Sequence, residues 1–456
     1  MQQDMHNWKI GRKEIRFLGI SIFVVYSFFV DIIERKLGLY VALMILMISS
    51  ALLLLSIMTS FGFRLNTKVL LLGIGWIIML VFMVLPRNQM LANGSIWKTI
   101  RWIWALFIAY SIAISTELYS KIIKLIAICG FVNVAATFFF YINKSAYNVM
   151  YNFWDEWPAG TQGGIYGYKA GIAEHYSRNA IYTLIATIVF FVLFILKRGG
   201  NRHFHFTKNK YLGILFVLSA IALVMTQKRA HTLFGVMAIL AGYYFCNVTG
   251  RSRKSLRFLK IAMIICLLAV GIEIAAVYST QLSQLLERFA AAGEDKSSIA
   301  RKAMRDMAFE LFKSSPVNGI GWGAYGYQYK IVFKSTFTLD AHNVYVQMLC
   351  ETGVVGFCIF IATIAYTLLI AVSCTKLKNL SVEEYIAVIY ALMIQIFVLL
   401  YNITGNCIYD ITFCHYMVAV GMSQGIFYKY NMSLKRYEVS ENQEVIKLWY
   451  SIRNGY

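Results

Sequence analysis

Runs of apolar residues recur along this chain from end to end, and they constrain its fold more than any other feature. A helix rises about 1.5 Å per residue, so about 20 apolar residues cross the ~30 Å hydrocarbon core of a bilayer. Twelve such runs can be marked, over residues 15–33, 37–60, 68–85, 97–116, 121–142, 178–197, 210–226, 230–247, 260–278, 351–373, 384–402 and 411–428. Composition agrees: 59% of residues are hydrophobic and 14% charged, far from the balance of a soluble domain. The first run starts near Ile15, behind the basic "HNWKIGRKEIR", and no small-residue cleavage site follows it. It therefore reads as a first membrane helix rather than a removed signal peptide. Three prolines and no polar linker leave nothing to mark a second domain. The expectation is an all-α, polytopic membrane protein of about 12 transmembrane helices, a single integral membrane domain over 1–456.

The net charge of +21 raises nucleic acid as a partner, but its distribution argues against one. Lys and Arg concentrate in short loops such as "KRGGNRHFHFTKNK" and "GRSRKSLRFLK", the pattern of cytoplasmic loops. That places both termini in the cytoplasm and two long loops outside, residues 143–177 and 279–350. Both loops are too rich in aromatic and apolar residues for plain disorder, and together they suggest a vestibule on the outer face. The eight cysteines are scattered through apolar runs without a C-x-x-C pair, so they read as small buried hydrophobes.

The second loop holds a helix of its own. "SSIARKAMRDMAFELFKSS" opens on capping serines and stops at Pro316, with Ile299, Ala303, Met307 and Leu311 recurring every four residues. This predicts an amphipathic helix along the membrane surface with Arg301 and Arg305 on one edge. Beyond it, "SPVNGIGWGAYGY" leads to "TLDAHNVYVQMLCETGVVGF", where Asp340, His342 and Asn343 stand at the mouth of an apolar run. An arginine on an amphipathic helix, a proline, a Gly-x-Gly turn, then His-Asn and a glycine-bounded helix resemble the signature region of the O-antigen ligase and O-antigen polymerase family. "LVMTQKRAHTLFGVMAIL", a basic motif ending where an apolar helix begins, is similar to a second feature of that family. The resemblance implies an integral membrane glycosyltransferase acting on polyprenyl-diphosphate-linked saccharides, among membrane lipids and beside flippase and chain-length regulator proteins.

Chemistry supplies roles for the residues. The prenyl tail holds the donor in the bilayer, at roughly 0.8 kcal/mol per buried methylene, so its diphosphate lies at the outer interface. Diphosphate departs readily once its developing charge is met by arginine forks. Arg301 and Arg229 are the catalytic candidates for that task. Arg288, Arg305, Arg178, His175, Asn343 and Lys228 are candidate substrate-binding residues. His342, at the edge of the run, is the candidate base for the attacking sugar hydroxyl. Direct attack would invert the anomeric centre. Neither metal nor cofactor is expected, since no outer carboxylate cluster offers to hold a metal. Trp154, Trp157, Tyr166 and Tyr168 suit either stacking on sugar rings or an interfacial aromatic belt.

Each residue has a plainer alternative: a helix-capping histidine for His342, a snorkelling arginine for Arg229, solvated loop charges for Arg288 and Arg301. "GIGWG" (319–323) lacks the strand and lysine of a phosphate loop and reads as a tight turn. Glu273, Asp410 and His415 lie in or beside runs, where a neighbouring helix can satisfy them. The favoured activity is polymerisation of lipid-linked repeat units for O-antigen, capsule or exopolysaccharide. The alternatives are a ligase that passes finished polymer to a lipid core, and a transporter of lipid-linked sugars or anions.

Overall fold

The computed structural model describes residues 11–61, 66–84, 92–153, 167–198, 209–246, 296–336, 338–377 and 380–453. These form helices α1 (Arg12–Phe28), α2 (Leu39–Phe61), α3 (Thr67–Leu72), α4 (Ile74–Val84), α5 (Ala92–Ala113), α6 (Tyr119–Ile142), α7 (Lys144–Phe153) and α8 (Tyr176–Arg198). There follow α9 (Asn209–Met225), α10 (Arg229–Phe245), α11 (Lys296–Ser314), α12 (Ala324–Val332), α13 (Val344–Cys374), α14 (Val382–Tyr401) and α15 (Thr412–Arg453). Strands are absent among the described residues, so the all-α expectation holds. Each predicted apolar run lies on these helices except 260–278, which falls outside the described residues together with Arg288, Glu273, Trp154, Trp157 and Tyr166. Among the described residues, five segments are long and apolar enough to cross a membrane: Leu39–Met58, Thr116–Ile142, Tyr176–Leu196, Val344–Cys374 and Val382–Tyr401.

Local chemistry sets the boundaries. Asn66 caps α3 by accepting from Val69 N at 3.3 Å. Ser381 and Glu384 form a reciprocal capping box at the head of α14. A break at Gly73 parts α3 from α4 inside one apolar run. α13 is kinked at Gly353, whose φ of 66° only glycine adopts without strain. α8 and α14 are the central helices, 83% and 72% buried over their apolar windows, while α2 at 33% is peripheral. Fully buried aromatics pack between α4, α5 and α15: Trp76 meets Trp102, Phe413 and Tyr416 edge-on at centroid distances of 5.6–5.7 Å.

Two polar layers mark the ends of the bundle. At one end Arg16 donates to Ser56 Oγ and Ser115 Oγ, and Asn66 Nδ2 donates to Tyr428 Oη. At the other end gather the start of α5, the starts of α8, α10, α13 and α15, and the close of α14. Between α12 and the rest, the "PVNGIG" strip docks on the α13 kink through its backbone: Ile320 N donates to Cys350 O, Gly321 N to Glu351 O, and Val354 N to Pro316 O, all within 3.0 Å. A Cβ on Gly319 would lie 2.4 Å from the Glu351 carbonyl, and one on Gly353 2.3 Å from Val317 O. The predicted turn at 319–323 is thus a backbone dock that fixes the loop to the helix.

α11 forms where the sequence predicts it, but its inner face differs. Ile299 and Ala303 are exposed, whereas Met304 and Ala308 are buried, with Met307, Leu311 and Phe312 packed beside Tyr325, Tyr329 and Cys350. The spacing of four ignored the 3.6-residue period, which carries the stripe from 304 through 308 to 311. Arg301 and Arg305 flank this inner face and are half-buried, while Lys302 and Asp306 face outward.

Candidate active site

His342 sits in the last loop position but one before α13 and has φ of 52°. A left-handed conformation costs a non-glycine residue about 1–2 kcal/mol, so neighbouring bonds must enforce it. Three do. Ala341 N donates to Gln347 Oε1 at 2.8 Å, Asn343 Oδ1 caps α13 by accepting from Val346 N at 3.1 Å, and Val344 N donates to Asn402 O at 2.9 Å. The residues on either side of His342 are pinned, and the imidazole is left to project. Its Nδ1 lies 3.4 Å from Asn406 Nδ2.

Behind this turn runs a buried polar chain. Lys98 on α5 donates to Asp340 Oδ1 at 2.8 Å, and Gln347 Nε2 donates to Asp340 Oδ1 at 3.0 Å and to Glu351 Oε1 at 3.2 Å. Glu351 Oε1 also accepts from Tyr325 N, and its Oε2 from Tyr409 Oη at 3.0 Å. Tyr409 stacks on Trp322 at 4.7 Å, with the Lys98 ammonium 5.1 Å above its ring. Asp340, Gln347 and Glu351 therefore tie the loop, the α13 kink and α5 into one unit. A buried carboxylate survives only when paired and hydrogen-bonded in this way.

Cations surround the imidazole. Burial and then Arg301 push His342 down to about 4; Asp340 opposes this, and Lys228 and Arg305 add to it. His175, just before α8, is lowered to about 3 by burial, Lys228 and His342. The Lys228 ammonium lies 3.6 Å from the Tyr176 ring. Of the residues expected at the site, His342, Arg301, Arg305, Lys228 and His175 thus come together. Arg229, half-buried, opens α10 one position beyond Lys228. Asn343 serves as a helix cap. Arg178 is ion-paired to buried Asp31 and lies 4.0 Å from Glu174, so its charge is already answered.

Asp31 belongs to a second support. It precedes a π-helical turn at Ile32–Leu37, and its Oδ2 accepts from Glu174 N, which anchors the loop carrying His175. Glu34 in the same turn binds Arg101 at 2.6 and 2.9 Å and accepts from Tyr26 Oη. Single π-helical turns concentrate at functional sites. Asp410 is raised to about 6, chiefly by burial, with its Oδ1 accepting from Thr412 N at 2.7 Å. His415 lies instead in the core, edge-on to Phe28 at 4.7 Å. No group of three or more His, Cys, Asp or Glu is placed to hold a metal ion among the described residues.

Sequence reasoning passed over Lys98, Gln347, Glu351, Asn406 and Asp31. Gln347 and Glu351 had a signal: Asp340, Gln347 and Glu351 are spaced seven and four apart, one polar stripe entering an apolar helix. Lys98, Asn406 and Asp31 had none, because their partners are 242, 64 and 147 residues away in sequence.

Fold and site together define a polytopic helical membrane protein with an imidazole set among fixed cations at one end of its bundle. Residues 214–361 match the protein-family model described as O-antigen ligase, in line with the family the motifs resemble. The chain matches no curated protein. The matched stretch holds Lys228, Arg229, Arg301, Arg305, His342 and Asn343.

Proposed function

We propose that this protein is a membrane glycosyltransferase that polymerises polyprenyl-diphosphate-linked saccharide units at the extracytoplasmic face, through about twelve membrane helices forming one integral domain. The observation that carries this reading is the field at His342, in which Arg301, Lys228 and Arg305 act on a half-buried imidazole. Those cations, with Arg229 beside Lys228, would receive the donor diphosphate. The acceptor hydroxyl attacks the anomeric carbon, the bond from that carbon to the phosphate oxygen breaks, and the electron pair leaves with the polyprenyl diphosphate. His342 takes the hydroxyl proton as the new bond forms, and the configuration inverts. Preorganised guanidinium and ammonium groups would meet the charge developing on the leaving group without reorganising, worth roughly 3 kcal/mol for each such donor.

A ligase uses the same donor, and the family description favours it as the second reading. Purified protein in lipid vesicles, supplied with lipid-linked repeat units alone, separates the two. Chain lengthening is the expected result. Product formed only after addition of a terminal acceptor would make the protein a ligase. Facilitated movement of the substrate across the vesicle wall without bond formation would overturn both.

A further inference from the structure

Asn406 lies outside the 214–361 match, on the loop between α14 and the short helical turn Cys407–Tyr409. Its backbone carbonyl accepts from Tyr409 N at 2.9 Å, but its side chain makes no cap to that turn. The side chain instead faces His342, with Nδ2 at 3.4 Å from Nδ1, and its Oδ1 is buried without a hydrogen-bond partner among the described residues. The two ends of an amide are nearly isosteric, and half a turn about its terminal torsion exchanges them. In the exchanged orientation Oδ1 accepts a proton carried on Nδ1 while Nδ2 takes the buried place, so the end of the amide that faces His342 is set by which ring nitrogen carries the proton.

We propose that Asn406 is a positioning residue that holds His342 as the Nδ1–H tautomer through an Nδ1–H···Oδ1 bond, leaving Nε2 free to take the proton of the acceptor hydroxyl. This inference rests on the transferase reading above. When Nε2 receives the proton, the imidazolium keeps its Nδ1–H bond to Asn406, and that bond strengthens with the charge. The opposite tautomer would spend the basic nitrogen on Asn406 and present an N–H to the sugar. The loop is fit to do this because Asn402, four residues earlier, accepts from Val344 N and so locks it to the helix that carries His342. The charged and titratable groups facing the imidazole from the other elements are Arg301 and Arg305 on α11, Lys228 before α10, His175 before α8, and Asp340 on its own loop.

Two measurements test the proposal on the full chain in vesicles. Nitrogen-15 spectra of histidine-labelled protein, with His342 assigned by its loss in His342→Ala, report the tautomer directly. Wild type should show Nδ1–H, and Asn406→Ala should show the mixed or Nε2–H form; an Nε2–H wild type overturns the proposal. In the kinetic arm Asn406→Ala should lower kcat roughly 10-fold or more with little change in KM. Asn406→Asp should recover most of that loss and move the acid limb of the pH profile upward by about 1–2 units, since a carboxylate favours the imidazolium. Unchanged kcat in Asn406→Ala, or an Asn406→Asp no better than it and with an unmoved limb, also overturns the proposal. Full activity in His342→Ala would instead remove the base from the transferase reading, while the tautomer measurement would still decide what Asn406 does.

Discussion

An imidazole pushed down to about 4 is neutral throughout the physiological range, yet it is a weak base. The remedy lies in the substrate. Arg301, Lys228 and Arg305 each disfavour the imidazolium, and a bound diphosphate would cancel much of their field. His342 then gains basicity only when a donor is in place. The sign follows directly: the neutral base is required, so activity is lost as pH falls through its titration point. That point is lower in the free enzyme than in the donor complex. The acid limb of kcat/KM should therefore lie near pH 4, and the limb of kcat at higher pH. Arg301→Gln should raise the kcat/KM limb by removing the largest opposing charge, while Arg301→Lys should leave it in place and still slow turnover, because an ammonium lacks the fork. Initial rates between pH 3.5 and 8 with a saturating and a limiting donor check this. Coincident limbs in wild type would show that the donor does not tune the base.

Among the helices, the α13 kink decides whether the site exists. Gly353 lets the "PVNGIG" strip reach the helix backbone, and that dock sets where α11 and its arginines lie against His342. Gly353→Ala combines a left-handed backbone with a Cβ 2.3 Å from Val317 O, and the strip must lift. We expect a loss of ~2–4 kcal/mol in stability and a matching collapse of activity. Gly73→Ala is the informative contrast, since φ there is −98° and the nearest atom, Leu70 O, is 3.5 Å from a new Cβ. That change should be neutral or stabilising by up to ~1 kcal/mol. Thermal unfolding in detergent, read by tryptophan fluorescence, distinguishes them; equal melting temperatures would remove the dock as a structural element. The sequence made α13 and α11 legible through apolar period, capping residues and Pro316. It did not reveal that the Gly-x-Gly turn and Gly353 close on each other, because both bear the same mark as ordinary turn glycines. The inner stripe of α11 was misjudged for a related reason. Met304 and Ala308 are no more apolar than Ala303 and Met307, and the choice between the stripes is made by α13.

At the scale of the molecule, long apolar runs told nearly everything about class, since burying about 20 apolar residues at a time leaves few folds open. What pattern could not supply was convergence. Lys98 finds Asp340, and Arg178 finds Asp31, only when the bundle closes. Which end of that bundle faces outward follows from charge. Among the described residues, the end opposite His342 carries Arg12, Lys13, Arg16, Lys68, Lys121 and Lys124 and the α15 extension, so it should be cytoplasmic. The site end, with the loop after α12, should then face the other way. In a cysteine-free background, Thr336→Cys on the exposed loop after α12 should react with a membrane-impermeant maleimide in intact spheroplasts. Lys435→Cys, on the C-terminal extension of α15, should react only after permeabilisation. The reverse pattern would put His342 and its cations in the cytoplasm. There a donor assembled and flipped to the outer leaflet could not reach them, and a cytoplasmic acceptor or a transport role would have to replace the polymerase.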